Sequence, residues 1–209
     1  MLFRTDMMVM ISAGRNGASN MSPRKFSNVI GFDDAPFERE HRGAVTVVGA
    51  VFADLRLDGV IIGTIEKDGD DAARNLTDLV LESKFAGHIR LIMLQGIAMG
   101  GFNVVDVPSL NKATGLPVLV VSRVNPDMAA IRKALLTDIP DGKRKWALIK
   151  NLGDMEPVDG IFIQRSGISR DEAMSVIRRF STNSRIPEPI RVAHLIGGAI
   201  STGQSRGAP

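Results

Sequence analysis

The sequence predicts one α/β domain built on a mixed sheet, in which an antiparallel meander of three strands is followed by helices and strands in alternation. Two observations support this prediction. Three β-type runs with short connections occupy residues 27–65, and the hydrophobic period changes to that of a helix shortly after residue 70. With 209 residues, of which 44% are apolar, the chain is long enough to bury one sizeable core.

The predicted meander consists of residues 27–33, 43–52 and 59–65. The second and third runs are rich in β-branched residues, which favour strands. The dipeptide Asp58-Gly59 is a strong hairpin signal, so we place the turn between these two strands there.

The rest of the chain alternates between strand and helix patterns. Ser169 and Glu172 have the spacing of a capping box at the start of a helix. Asn125 is expected to cap another helix, with Pro126 at its first position, where the missing N–H does no harm. The remaining predictions are strands at 89–94, 117–121 and 161–163 and helices at about 72–83, 104–112, 125–136 and 189–200.

Three antiparallel strands followed by helix-strand alternation is the element order of the ribonuclease H-like fold, with helices flanking a mixed sheet. A doubly wound nucleotide-binding domain is the alternative. That fold needs parallel strands from the start and a glycine-rich loop after the first strand. Only one glycine, Gly31, stands in this region, and acids follow where phosphate would bind. The ribonuclease H-like order is therefore favoured.

Composition limits the class of protein and of metal site. Because the chain has no cysteine, a metal ion would need oxygen or imidazole ligands, which favours Mg²⁺. No apolar run approaches the roughly 20 residues that a membrane span needs. Residues 1–25 are predicted to be a weakly ordered extension. They make a poor signal peptide, because Asp6 lies directly before the short apolar run of residues 7–13. We expect a soluble, cytoplasmic protein with a single domain over residues 26–209; the oligomeric state is not predicted.

Charge is distributed unevenly along the chain. Residues 1–106 contain 11 Lys/Arg and 14 Asp/Glu, a net charge of −3, and residues 107–209 contain 15 and 9, a net charge of +6. An acidic half joined to an arginine-rich half is compatible with a metal-dependent enzyme that acts on a polyanion. Two differently solvated faces are the simpler alternative.

Acidic residues follow the first predicted strand. In a ribonuclease H-like sheet the first strand lies beside the fourth, so Asp33 or Asp34 should face Gln95. Carboxylates that meet at strand ends can hold divalent ions for phosphodiester cleavage. Paired acids in loops also act as caps or solvated turn residues, and that alternative stays open here. The nearest further oxygen donors are the acids before the first helix: Asp68, Asp70 and Asp71.

The segment between the last two predicted helices is unusual. It reads Arg185-Ile-Pro-Glu-Pro-Ile-Arg191, and its two prolines predict an extended backbone that could place both arginines on a phosphate chain. A rigid linker between helices is the alternative. His194 follows on the last helix, and the pair Gly100-Gly101 predicts a tight turn.

These motifs resemble those of a nuclease family. Residues 185–194 resemble the Arg-Leu-Pro-Glu-Pro-Thr-Arg-x-Ala-His/Asp signature of endonuclease V. The archaeal family called endonuclease dU is still more similar: its Gly-Phe-Asp-Asp-Gly-Pro-Phe resembles residues 31–37, and its Gly-Phe-Asn-Val-Val-Asp matches residues 101–106. The resemblance covers essentially the whole chain after Lys25.

This resemblance implies a Mg²⁺-dependent endonuclease, with Mn²⁺ able to substitute, that nicks DNA near uracil or hypoxanthine; RNA stays open as a substrate. It gives Asp33 the place of the first-strand carboxylate, Asp70 the place of the family's glutamate and His194 the fourth ligand position. These three are the expected catalytic residues and, with Gln95, the expected metal ligands. Because endonuclease V has a carboxylate where Gln95 stands, we expect weaker metal binding.

The resemblance also implies which residues contact nucleic acid. The chain has no tyrosine, so a tyrosine wedge between the DNA strands is absent, and Phe37 is its expected apolar replacement. The other expected nucleic-acid contacts are Gly100, Gly101, Asn103, Arg185 and Arg191. Two alternatives stay open: a nucleic-acid-binding protein of the same fold with weakened catalysis, and a nucleotide- or metabolite-binding protein.

Overall fold

The computed structural model describes residues 25–206, which form a seven-stranded sheet, a small hairpin and six helices. The sheet strands are β1 (Asn28–Asp34), β2 (Ala44–Ala53), β3 (Arg56–Glu66), β4 (Leu91–Gln95), β7 (Val118–Ser122), β8 (Glu156–Val158) and β9 (Ile161–Ser166). The strands β5 (Ala98–Met99) and β6 (Asn103–Val104) form the separate hairpin. The predicted extension, except Lys25, lies outside the described residues.

The meander prediction is confirmed, because β1 pairs with β2 and β2 with β3, both antiparallel. Its second turn was misplaced. The turn is Asp54-Leu55, with Asp54 in the left-handed region at φ +54°, whereas Asp58 and Gly59 lie inside β3. A Cβ on Gly59 would come within 2.1 Å of the Phe85 ring, so this glycine makes room for an aromatic side chain rather than for a turn.

The centre of the sheet is parallel. The strand order is β3-β2-β1-β4-β7-β9-β8, in which β1, β4 and β7 run parallel and β9 is antiparallel to β7. Phe32 pairs with Leu94, so the residues that follow them, Asp33 and Gln95, lie at the same level. The carboxyl ends of three neighbouring strands therefore meet at one edge of the sheet, as predicted for the first and fourth strands.

Helices cover both faces of the sheet. The helices α5 (Arg170–Phe180) and α6 (Glu188–Thr202) contribute apolar residues to the core on one face, and α1 (Ala72–Leu81) and α2 (Val107–Thr114) to the core on the other. The helices α3 (Met128–Asp138) and α4 (Gly142–Leu152) pack on each other around a third cluster, which Trp146 also contacts. No helix among residues 25–206 is long and apolar enough to cross a membrane.

The helix predictions were partly confirmed. The capping box of α5 is present, since Ser169 and Glu172 each accept a hydrogen bond from the other's backbone. The predicted cap of α3 was wrong: Asp127, not Asn125, caps this helix and accepts hydrogen bonds from two backbone N–H groups. Pro126 therefore precedes the cap instead of occupying the first helical position.

Helix α4 and strand β8 were not predicted. The buried face of α4 contains Gly142, Lys145 and Ile149, so a lysine stands where the helical pattern needs an apolar residue. The hairpin β5–β6 was also missed, because its glycines indicate a turn and its strands have only two residues each.

Candidate active site at the carboxyl ends of the central strands

Asp33 of β1 and His194 of α6 are joined by a hydrogen bond. His194 Nδ1 donates to Asp33 Oδ2 at 2.9 Å, and Asp33 is only 4% exposed. Gly31 explains how α6 comes so close to β1, because a Cβ at this position would lie 2.4 Å from the carbonyl carbon of Pro189. The missing side chain lets the helix pack directly on the strand and brings carboxylate and imidazole together.

The pKa values of this group are shifted by burial and by mutual contact. Burial raises the pKa of Asp33, although the hydrogen bond and charge of His194 oppose the shift. Burial, with the neighbouring Asp33 charge, raises the pKa of Asp34 to about 6. The hydrogen bond to Asp33 raises the pKa of His194. Burial thus disfavours the negative charges of Asp33 and Asp34, and a cation bound beside them would stabilise their charged forms.

Gln95 ends β4 beside Asp33. Its side chain lies on the same face of the sheet, since the preceding pair, Phe32 and Leu94, packs into the core of the opposite face. Gln95 Oε1 is buried and has no hydrogen-bond partner among residues 25–206. A buried acceptor left unpaired costs about 1–3 kcal/mol, so this oxygen is suited to a ligand.

These donors form a small oxygen and nitrogen set. Asp33, the free oxygen of Gln95 and the second ring nitrogen of His194 are of the types that hard divalent ions accept. Within residues 25–206 no group of three or more His, Cys, Asp or Glu residues is arranged to hold a metal ion. A metal site here would therefore depend on the amide oxygen of Gln95.

Asp70 does not join this group. Its carboxylate pairs with Arg144 at 2.9 Å and is 66% exposed. No hydrogen bond or ion pair in the described chain links Asp70 to Asp33 or His194. The expectation that Asp70 completes the metal site thus finds no supporting contact, because its side chain faces α4 instead.

Asn103, which was predicted to contact nucleic acid, is buried and makes hydrogen bonds within the fold. Its side chain is 0% exposed and donates to the carbonyl of Glu66 at 2.9 Å and to Asp71 Oδ1 at 2.6 Å. Its own oxygen accepts from the N–H of Ala72 at 3.2 Å. Asn103 thereby fastens β6 to the start of α1 and has no surface with which to contact nucleic acid in this conformation.

Gly100 and Gly101 form the turn of the hairpin, with φ +54° and +82°. The N–H of Gly100 donates to Asp34 Oδ2 at 3.0 Å. The tight turn predicted for these glycines is present, and Asp34 ties it to the strand that ends in Asp33.

Arg191 and Arg185 differ in how far their charges are engaged. Arg191 donates to both carboxylate oxygens of Glu188, at 2.8 and 2.6 Å, within α6. Although burial opposes it, the bond to Arg191 holds the pKa of Glu188 below its usual value. Arg185 is exposed, and the backbone carbonyl of this residue accepts a hydrogen bond from Ser181. Of these two arginines, Arg185 is the one whose guanidinium has no hydrogen bond or ion pair in the described part of the chain, so it is the one left for a phosphate contact.

Phe37 lies half-buried in the loop between β1 and β2. Lys67 Nζ is 5.6 Å from the centre of its ring, and the His41 ring is 6.0 Å away. Lys67 also donates to the carbonyls of Arg39 and His41, which holds the loop closed around Phe37. The wedge role of Phe37 stays a prediction.

Arg123 was missed by the sequence reasoning. It directly follows β7, the neighbour of β4, and is exposed. Although the pKa of His194 is raised overall by Asp33, the charge of Arg123 opposes that rise, which places Arg123 within electrostatic reach of the pair. Its position one residue after a central strand is the signal that could have identified it.

An apolar cavity opens beside the ends of β4 and β7. About 530 Å³ of space, part of it open to solvent, is bounded mainly by apolar side chains. Gly96 and Ile97, which directly follow Gln95, form one wall, and Phe102 of the hairpin contributes another. Its mainly apolar lining suits the faces of a flat heterocycle.

The fold places the chain among α/β proteins built like endonuclease V. Endonuclease V of Bacillus subtilis superposes with a TM-score of 0.55 at 15% identity, covering 88% of this chain and 86% of that one. Endonuclease V of Ciona intestinalis, solved with a 24mer DNA containing an inosine followed by a ribo-adenosine, gives 0.54 at 13% identity, covering 81% and 83%. At these identities the likeness concerns the fold alone.

Residues 25–201 match the family Endonuclease dU, and the chain belongs to that family. A UPF0215 protein of Deinococcus radiodurans is 49% identical over 183 residues, covering 88% of this chain and 93% of its own. One from Methanothermobacter thermautotrophicus is 42% identical over 184 residues, covering 86% and 90%. A protein of unknown function from Archaeoglobus fulgidus has a TM-score of 0.77 at 32% identity, covering 83% and 97%. The predicted family is confirmed.

Proposed function

We propose that the protein is a divalent-metal-dependent endonuclease that nicks DNA at or near deaminated bases, either uracil or hypoxanthine. The observation that carries this proposal is the bond between Asp33 and His194 beside the oxygen of Gln95, which has no hydrogen-bond partner within the described chain. Membership of the Endonuclease dU family and the endonuclease V-like fold, in a ribonuclease H-like strand order, support it.

Asp33, Gln95 and His194 would hold the ion, with Mg²⁺ favoured because most of the donors are oxygens. When bound, such an ion activates water and neutralises charge at the scissile phosphate. The chain's own residues supply the rest. Asp33 orients the His194 ring through Nδ1, which leaves the other ring nitrogen directed away from Asp33. Arg123 would hold a phosphate oxygen at the same edge of the sheet.

The apolar cavity would receive the damaged base after its extrusion from the duplex. Its walls begin at Gly96, one residue after Gln95, so a base held there would keep its phosphate beside the strand ends. Extrusion is easiest where base pairing is already weak, as at a deaminated base.

The test uses end-labelled duplexes that contain one uracil or one hypoxanthine, with Mg²⁺, with Mn²⁺ and with chelator. We expect nicks that require both metal and Asp33, so the variant Asp33→Asn should leave the duplex intact. Nicking that persists in chelator or in Asp33→Asn would show that this site does not carry the reaction. An undamaged duplex of the same sequence is the control for substrate choice.

A nucleic-acid-binding protein with weakened catalysis is the second candidate, and the amide at position 95 favours it. Gln95→Asp adds a charged ligand beside Asp33. If the site is only weakened, this variant should nick faster and at lower Mg²⁺ concentration. If neither protein nicks any duplex while salt-sensitive DNA binding persists, the binding function is the correct one.

A further inference from the structure

We infer that Asp68 is a positioning residue that sets the wall of the base-accepting cavity and thereby determines discrimination between damaged and normal bases. This inference rests on the proposed function, because it assigns the cavity to a nucleobase. It concerns the hairpin formed by β5 and β6, which closes one side of that cavity.

The hairpin cannot hold its own position. It has only two residue pairs, Ala98 with Val104 and Met99 with Asn103, and a two-stranded hairpin of that size is marginal by itself. Yet Ala98, Phe102 and Val104 all line the cavity. The wall of the cavity is therefore only as well defined as the contacts that fasten the hairpin to the rest of the fold.

Asp68 supplies two of these contacts from the loop before α1. Its backbone N–H donates to the carbonyl of Gly100 at 2.8 Å, and its Oδ1 accepts from the N–H of Phe102 at 2.7 Å. The side chain thus fixes the residue whose ring faces the cavity. The arrangement requires a glycine at position 101, because a Cβ there would lie 2.4 Å from Asp68 Oδ1.

Asp68 is itself held in place. It adopts the left-handed conformation, with φ +53°, which aspartate and asparagine tolerate better than most residues. Lys145 of α4, only 2% exposed, donates from Nζ to its carbonyl oxygen. One turn further along α4, Ile149 lines the same cavity. A buried lysine therefore couples two walls of the cavity through Asp68.

The experiment measures equilibrium binding by fluorescence anisotropy in chelator, which removes the ion that the proposed cleavage requires. Labelled duplexes carry a single uracil, a single hypoxanthine or the normal base. For the wild type we expect tighter binding of a damaged duplex. Asp68→Ala should reduce that preference about tenfold, the effect of losing roughly 1.4 kcal/mol, while affinity for the normal duplex stays within about twofold. Asp68→Asn keeps the acceptor and should restore the preference.

The controls distinguish an effect on the position of the hairpin from an effect on the stability of the whole fold. Asp154→Ala removes an exposed carboxylate of equal charge, and its preference should equal that of the wild type. Gly101→Ala disturbs the same contact from the other side and should lower the preference as Asp68→Ala does. Loss of cooperative melting in both variants would overturn the inference in favour of a global structural role.

The remaining outcomes are also decisive. If the wild type prefers a damaged duplex and Asp68→Ala keeps that preference, the inference fails while the proposed function stands. If the wild type binds all three duplexes equally, base recognition fails in the proposed function, and the role of Asp68 fails with it.

Discussion

The start of α6 and the carboxyl ends of β1 and β4 contain the two most conspicuous motifs of this chain, but they use their polar groups differently. At the start of α6, Arg191 and Glu188 satisfy each other through two hydrogen bonds. At the strand ends, Asp33 is buried with a raised pKa and Gln95 Oε1 has no partner in the described chain. The first region is complete as it stands, whereas the second has bonding capacity left over.

This difference separates residues that build the candidate site from residues that are proposed to act in it. The proline-containing segment begins α6 and packs it onto Gly31, which delivers His194 to Asp33. Its arginine at position 191 is therefore a poor candidate for phosphate binding. This sequence motif thus has mainly an architectural role here, and the proposed chemistry is assigned to the groups that it brings together.

The largest effect should come from Asp33→Asn. The substitution keeps the size of the side chain but removes the charge that would hold a cation, so nicking of a damaged duplex should fall about 1,000-fold, or about 4 kcal/mol. The melting temperature should change little, because the weaker bond to His194 is offset by removal of a charge that burial disfavours. Asp154→Asn, at an exposed position, is the matched control and should keep full activity. Equal activity in both variants would place the reaction elsewhere.

Gly31→Ala should break the contact between the two regions. The added methyl group would meet the backbone of Pro189 at 2.4 Å, and backbone cannot move aside as a side chain can. We expect a loss of about 3 kcal/mol in the free energy of unfolding. Urea denaturation measures this loss. Gly87→Ala is the matched control, because its methyl group would have no neighbour within 4 Å. Equal midpoints would mean that α6 does not depend on this close approach.

Arg191→Ala and Arg185→Ala should act in opposite ways. Removing Arg191 leaves the carboxylate of Glu188, 9% exposed, without its cationic partner and with only the hydrogen bonds from Asn183, which should cost about 2 kcal/mol of stability while DNA affinity is kept. Removing the exposed Arg185 should leave stability unchanged and weaken DNA binding, with a lower salt dependence. Thermal melting and binding titrations distinguish them. Loss of DNA affinity in Arg191→Ala alone would reverse the comparison.

The smallest effect concerns pH. The folded pKa of Asp34 is about 6, above the ordinary value of 3.8, so its contribution to stability is present below the ordinary value and lost as pH rises through 6. Asp34→Asn keeps an acceptor for Gly100 and does not titrate. In chelator it should match the wild type near pH 4 and be more stable at pH 8, and the shift from 3.8 to about 6 sets an upper limit of about 3 kcal/mol on this gain. A constant difference in melting temperature across this range would contradict the shift.

Much of the fold was predictable from the sequence because its strands and helices follow simple periods. The errors have local physical causes. Asp58-Gly59 has the chemistry of a turn, yet Gly59 is needed for the Phe85 ring, and Asp54 makes the turn instead. Helix α4 escaped prediction because Lys145 occupies its buried face. Such tertiary demands leave no periodic signal.

The candidate site was predictable only in part. The order of the strands predicts that Asp33 and Gln95 lie side by side at the strand ends. The choice of His194 as a site residue came from a family motif. Asp70 was chosen among three nearby acids, but only the fold shows that it pairs with Arg144. Arg123 carries no motif of its own, because its placement depends on which strand lies beside β4.

The chain's single tryptophan, Trp146, has an optical consequence. It packs on the cluster of Val104, Leu135 and Ile149, and Phe102 of the hairpin packs on that cluster too. Because no other tryptophan and no tyrosine contributes, the intrinsic emission of the protein comes from this one indole. Its wavelength and quenching therefore follow the state of the cavity wall without any attached label.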